Sequence, residues 1–208
     1  MRVNSDLPIA REKENIVKLI RSNQVTIVVG ETGSGKTTQL PKILLQTGIG
    51  SNGAIVHTQP RRIAAISIAK RIAHEIGADL GKEIGYSIRF DDRSSSGALL
   101  KLVTDGLLLN ELRTDRYLNK YSGMIIDEAH ERSLNIDLLL GYVKEIIKHR
   151  PEFRVIVTSA TISGEQFSRF FDGAPIVDVA GRSYPISIRY CEPKEELLEQ
   201  IVDLIKEI

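Results

Sequence analysis

The sequence predicts an α/β fold, a doubly wound and mainly parallel sheet, from three observations. Short β-branched runs alternate with longer segments of helical apolar spacing through most of the chain. Several of those runs are continuously apolar, as strands covered on both faces must be. Unusual polar residues follow the runs directly, at the rim where an open parallel sheet collects its ligands.

Val25–Val29 reads as a buried strand and Lys36–Gln46 as the helix after it. Ala54–Gln59 is a strand, and Arg61–Ile76 a helix on the spacing of Ile63, Ile66, Ile68 and Ile72. Ile84, Tyr86, Ile88 and Phe90 alternate with Gly85, Ser87 and Arg89, the pattern of a half-exposed strand. Ser94-Ser95-Ser96-Gly97 reads as a loop. Leu99–Val103 leads into a helix over Asp105–Leu112. Met124–Ile126 leads into a helix near Leu134–His149, with Ile136, Leu139, Leu140, Val143 and Ile147 on one face. Arg154–Thr158 is a strand, Glu165–Phe171 a short helix and Ile176–Val179 a strand. Gly181-Arg182-Ser183-Tyr184-Pro185 then breaks the pattern, Ile186–Tyr190 alternates, and Pro193–Ile208 is a charged amphipathic helix. Its stripe of Leu197, Leu198, Ile201, Leu204 and Ile205 either begins a second domain or packs back on the first. The division expected is residues 1–180 as one domain and 181–208 as linker and start of another.

Composition bounds the function. The chain has 208 residues, 42% hydrophobic and 26% charged, which suits a globular protein and excludes a disordered one. No apolar run approaches the ~18 residues of a membrane span, and the N-terminus lacks a signal-peptide layout. The single cysteine, Cys191, excludes an intrachain disulfide framework and points to a reducing, cytoplasmic setting. Residues 192–208 carry a net charge of −4, which against +1 for the whole chain leaves +5 on residues 1–191. Bulk charge this small does not drive strong nonspecific nucleic-acid binding, yet the main body can accept an anion.

Gly30-Glu31-Thr32-Gly33-Ser34-Gly35-Lys36-Thr37 has the spacing of a phosphate loop, and it lies between a predicted strand and a predicted helix. Glycines let backbone N–H groups turn inward around phosphates. Lys36 supplies a point charge to the β- and γ-phosphates, Thr37 a hydroxyl for Mg²⁺, and the helix its positive end. Asp127-Glu128-Ala129-His130 follows the apolar run Met124-Ile125-Ile126. An acid leaving a buried strand opposite a phosphate loop is the expected Mg²⁺-side carboxylate, and Glu128 is then placed to deprotonate a water. His130, three residues from that acid, reads as a relay to another element, against plain helix-start packing. His57, His74 and His149 read as ordinary structural residues. Thr58-Gln59-Pro60-Arg61-Arg62, Thr104-Asp105-Gly106 and Ser159-Ala160-Thr161 each follow a predicted strand. Any one of these could be a helix cap. Together with the phosphate loop and Asp127 they send five strands' polar residues to one rim.

GETGSGKT, TQPRR, TDG, DEAH and SAT, in this order and spacing, resemble the first motor domain of a DEAH-box RNA helicase of superfamily 2, of the bacterial HrpA type. The resemblance runs from about Leu7 to Tyr190. It implies a RecA-like P-loop NTPase fold and ATP (or another NTP) with Mg²⁺ as ligands. Gly30, Glu31, Thr32, Gly33, Ser34, Gly35, Lys36, Thr37 and Thr38 would hold the phosphates and, with Asp127 and Glu128, the metal and the hydrolytic water. Arg71 matches a position that stacks on adenine. Arg61, Arg62 and Thr104 would touch the backbone of single-stranded RNA without reading its bases, and Arg89 lies in a stretch that approaches RNA. Ser159 and Thr161 would couple nucleotide state to movement between domains. Family members carry a second motor domain with arginine fingers and further C-terminal domains, whose motifs do not occur in these residues. The implied activity is ATP hydrolysis coupled to translocation on RNA. Two alternatives stand beside it: a motor of this type acting on DNA, since nothing here reads a 2′-hydroxyl, and a nucleotide-binding module without turnover, since phosphoryl transfer without a finger loses a factor of about 10³–10⁵.

Overall fold

The computed structural model describes residues 3–160, 164–181, 188–192 and 197–206. Eight strands form one sheet: β1 (Val25–Gly30), β2 (Ala54–Gln59), β3 (Ile84–Ile88), β4 (Asp91–Arg93), β5 (Leu100–Thr104), β6 (Tyr121–Ile126), β7 (Arg154–Ser159) and β8 (Ile176–Val179). Their spatial order is β4-β3-β5-β2-β6-β7-β1-β8, and every pairing is parallel except that of β3 with β4.

The helices are α1 (Lys13–Ser22), α2 (Lys36–Gln46), α3 (Arg62–Ile76), α4 (Asp105–Glu111), α5 (Leu134–His149), α6 (Gly164–Phe170) and α7 (Leu197–Lys206). They divide between the two faces of the sheet. Side chains from α1, α2 and α3 (Ile16, Ile20, Leu40, Ile43, Ala65, Ala69 and Ile72) share one core with Val28, Ile125 and Ile156. Side chains from α4, α5 and α6 (Leu108, Ile136, Leu139, Val143 and Phe167) share the other with Ile27, Ile126 and Val157. Successive strand residues such as Ile27 and Val28 therefore point to opposite cores, which is why these strands read as unbroken apolar runs. The doubly wound α/β prediction matches.

Departures from the sequence pattern have local causes. α1 precedes the first predicted strand and buries Ile16 and Ile20, one helical turn apart. The 3-10 turn Pro8–Glu12 before it buries Pro8 and Ile9. The alternation through Phe90 overshoots, because β3 ends at Ile88 and turns through Arg89 and Phe90 into β4. Phe90 takes φ 71° and is 92% exposed. On α3, Ile63 is exposed and the buried face is Ala65, Ala69, Ile72 and Ala73. Small residues there let the helix lie close to the sheet. α5 matches its predicted span, capped by Ser133, whose Oγ accepts the Ile136 N–H at 3.2 Å. Of the predicted strand Ile186–Tyr190, residues 186–187 lie outside the described residues and 188–190 form no strand. In α7, Leu198, Ile201, Leu204 and Ile205 are exposed.

Candidate nucleotide site

Because seven neighbouring strands run parallel, their C-terminal ends meet at one rim, in the order β3, β5, β2, β6, β7, β1, β8. Register places Gln59 beside Thr104, Thr58 beside Ile126, and Val29 beside Ser159. The polar residues that follow these positions are thus neighbours in space.

The phosphate loop begins at Gly30 and ends at Gly35, the left-handed N-cap of α2 with φ 92°. Gly30 is required on steric grounds, since a Cβ there would lie 2.9 Å from the Val179 carbonyl of β8. Beneath the loop, Ile9 N–H donates to the Ser34 carbonyl at 3.1 Å, and Leu7 and Ile9 fill the space a Cβ on Gly35 would need. The Lys36 ammonium is nearly enclosed and donates to the carbonyls of Gly30 and Glu31 at 2.6 and 2.9 Å and to Ser34 Oγ at 3.2 Å. Burial lowers its pKa, against the pull of Asp127, Glu128 and Glu31.

Asp127 is fully buried at the end of β6. Its carboxylate accepts Gln59 Nε2 at 2.7 Å, the Glu128 N–H at 3.0 Å and the Thr158 hydroxyl, and His57 Nε2 lies 3.3 Å away. Burial alone would raise this carboxyl. Hydrogen bonds from His57, Thr158 and Thr37, with the His57 charge, outweigh burial and hold it well below the carboxylate range. Glu128 has the opposite balance: burial and the Asp127 charge raise its pKa. Two adjacent acids are thus pushed apart, one fixed as an anion and one made more basic.

The chain turns sharply here, with Glu128 at φ 54° and a 3-10 turn over Ala129–Glu131. The turn aims its side chains at three places. Glu128 faces the phosphate loop. His130 Nδ1 accepts the Ala160 N–H at 3.1 Å, which leaves the ring proton on Nε2, 3.4 Å from Glu128. Glu131 meets Arg61 Nη2 at 3.4 Å. Buried Ser159 sits next to Ala160 at the end of β7. Thr161 lies outside the described residues.

A cleft of about 320 Å³ is lined by Leu7, Thr32, Gly33, Gly35, Lys36, Thr37, Thr38 and Glu128, with Asn4 and, from α3, Arg71 and Glu75. A second hollow of about 330 Å³ on the same rim is lined by Arg62, Arg89, Thr104, Gly106, Leu107 and Asn110. Of the predicted phosphate residues, Thr32, Gly33, Gly35, Lys36, Thr37 and Thr38 line the first recess with Arg71; of the predicted RNA residues, Arg62, Arg89 and Thr104 line the second, whereas Arg61 lines neither and pairs with Glu131 instead.

Residues absent from the sequence-based site are His57, Thr158, Gln39, Glu75 and the strap Asn4–Ile9. His57, expected as an ordinary structural residue, lies buried with its Nε2 3.3 Å from the Asp127 carboxylate. Its signal was its i, i+2 relation to Gln59 on one face of β2. The others converge only through the sheet and carry no pattern along the chain.

Fold and cleft together define a P-loop nucleotide-binding domain. A family model described as DEAD/DEAH box helicase matches residues 11–170, and the chain belongs to that family. It is 52% identical over 98% of its length to the ATP-dependent RNA helicase HrpA of Escherichia coli (strain K12). It is 51% identical over 97% to the HrpA homolog of Haemophilus influenzae, and 48% identical over 97% to HrpA of Borreliella burgdorferi. It spans 16% of the length of the first two relatives and 24% of the third. Among the described residues no helix is long and apolar enough to cross a membrane.

Proposed function

We propose that this chain is the ATP-binding motor domain of an RNA helicase, in which ATP hydrolysis drives movement along single-stranded RNA. The observation that carries the reading is the shared turn. One short segment offers Asp127 and Glu128 to the nucleotide, His130 to the β7 end and Glu131 to Arg61 on the nucleic-acid side.

In this reading Gly30–Thr38 wrap the phosphates, and Lys36 exchanges its loop carbonyls for the β- and γ-phosphates. Thr37 and Asp127 offer a hydroxyl and a carboxylate whose hydrogen bonds favour its ionised form, hard oxygen donors suited to Mg²⁺, with Glu128 beside them. The ion, when bound, neutralises charge on the phosphates. Glu128, with its raised pKa, takes the proton of the attacking water, and His130 reports that carboxylate's position to Ala160 and so to Ser159 and Thr161. Arg71 meets the adenine. Arg61, Arg62, Arg89 and Thr104 hold the RNA backbone, and the exposed Phe90, with Arg89 4.9 Å from its ring centroid, offers a base a stacking surface. Residues 1–180 form the ATP-binding unit, and 181–208 the linker and start of the next motor domain. A cytoplasmic site of action fits the RNA substrate.

The test is a calorimetric titration with ADP and Mg²⁺, beside circular dichroism. Lys36→Ala lowers affinity at least tenfold with an unchanged spectrum, whereas Glu128→Gln keeps affinity within about threefold. In a longer chain that carries the second motor domain, Glu128→Gln lowers turnover by about 10²–10⁴. Unchanged ADP affinity in Lys36→Ala overturns the assignment. Stimulation of that longer chain by single-stranded DNA as strong as by RNA favours the DNA-acting alternative.

A further inference from the structure

The α3 side of the nucleotide cleft is built differently from the phosphate-loop side. Arg71 stands at its lip with its side chain 63% exposed, and its Nε donates to Glu75 Oε1 at 2.5 Å. Taken alone, an i, i+4 pair on a helix surface is worth only tenths of a kcal/mol and would count as a solvated face. The second oxygen of Glu75 changes that. It accepts the Lys42 ammonium and, at 3.0 Å, Gln39 Nε2, both from α2 and both fully buried. Gln39 is itself fixed, donating to Thr38 Oγ1 at 2.9 Å and accepting the Asn4 N–H at 2.9 Å on its Oε1. Burial would raise the Glu75 carboxyl, but its bonds to Lys42, Gln39 and Arg71 bring it down to about 2, so it is charged at any working pH.

We propose that Glu75 is a positioning residue of the nucleotide site: clamped to the phosphate-loop helix by Lys42 and Gln39, it holds the Arg71 guanidinium at the base end of the cleft and away from the phosphates. The inference rests on the nucleotide reading above and adds a residue to it. The physical need is electrostatic. A mobile guanidinium at the mouth of a cleft that holds a polyphosphate is drawn to the phosphate oxygens, with which it pairs bidentately. Glu75 supplies the competing anion. Arg71 then keeps its planar face for a nucleobase, where it adds cation–π and stacking attraction that does not distinguish one base from another. The tether also joins the base end to α2, so a shift of the phosphate-loop helix moves Arg71 with it.

The experiment compares a ligand with a base and one without: ADP with Mg²⁺, and pyrophosphate with Mg²⁺, by calorimetry on the 208-residue chain. Glu75→Gln is expected to lower ADP affinity about fivefold, the size of one cation–π contact, while pyrophosphate affinity stays level or rises. Because Glu75→Gln deprives buried Lys42 of its anion, the double variant Glu75→Gln/Lys42→Met is made beside it and is expected to behave alike. Arg71→Ala lowers ADP affinity by a similar factor, and adding Glu75→Gln to it changes nothing further. A loss of ADP affinity in Arg71→Ala with none in either Glu75 variant overturns the proposal and leaves Arg71 at the base. Equal losses for ADP and pyrophosphate in the Glu75 variants also overturn it, as they show a role in folding the cleft. No selective loss in Arg71→Ala removes Arg71 from the base and the proposal with it. A wild-type chain that binds neither ligand overturns the nucleotide reading itself.

Discussion

Asp105 opens α4 with its side chain buried, and one of its carboxylate oxygens has no hydrogen-bond partner among the described residues. Burial raises its pKa to about 6, the charges of Glu131 and Asp127 push the same way, and the Thr58 hydroxyl and His57 offset only part. Unfolded, the group titrates near 3.9. Between about pH 4 and 6 the folded state therefore holds more protons, so stability falls as pH rises through that window, and the cost is complete above it. Asp105→Asn should stabilise the chain by about 2–3 kcal/mol at pH 7.5 and by far less at pH 4.5, read from urea midpoints. An equal gain at both pH values would assign the effect to packing of the amide. The TDG motif drew attention to Asp105, but its burial was not legible, because an acid after a strand reads equally well as a solvated cap. The same limit hid His57, Thr158, Gln39 and Glu75. The phosphate loop and DEAH were legible because their residues are contiguous, whereas these partners reach the site from separate elements.

Elements were legible where one physical pattern dominates. The inner strands, buried on both faces, read as apolar runs, and α5 read from its stripe and its Ser133 cap. β4 did not, because Asp91, Asp92 and Arg93 carry no apolar signal. It exists because the β3 edge gains a hydrogen-bonded neighbour, and its charges suit an exposed edge. α1 was missed for want of a strand before it to set the rhythm. Element packing also makes a prediction at the edge where β1 meets β8. Gly30 pairs with Val179, and a Cβ would meet that residue's carbonyl at 2.9 Å and Ser34 Oγ at 3.3 Å. Gly30→Ala should destabilise by about 1–3 kcal/mol, the usual cost of overpacking a fixed backbone. It should also weaken ADP binding, because the strand end that must move is the start of the phosphate loop. Gly141→Ala on α5, where a Cβ meets nothing within 4 Å, is the control and should be neutral or stabilising. Wild-type urea midpoints and ADP affinity in Gly30→Ala would mean that β8 yields freely and the close approach has no consequence.

At the scale of the whole molecule, the question is what a domain with this surface can do by itself. Arg61, Arg62 and Arg89 are exposed on the rim, the Arg61 side chain 77% so, and nothing among the described residues closes over them. Arg61 is in part neutralised by Glu131, which leaves about two to three cations for phosphates. For a single strand each neutralised phosphate contributes about −0.7 to the slope of log affinity against log salt, so the expected slope is about −2. Raising salt from 50 to 200 mM should then weaken RNA binding only about 10- to 20-fold, and affinity at physiological salt should be low, since the net charge of +1 adds no general attraction. The nucleotide cleft is open in the same way, with the Glu128 side chain 37% exposed. Lacking a second wall and an arginine finger among these residues, a bound ATP would keep one side in water. The 208-residue chain is therefore expected to bind ADP, to hydrolyse ATP negligibly and to show little stimulation by single-stranded RNA. Phosphate release with and without RNA, beside fluorescence titrations at several salt concentrations, checks all three. A slope steeper than about −5, or RNA-stimulated turnover at monomeric concentrations, would mean that this surface grips RNA and completes the site by itself.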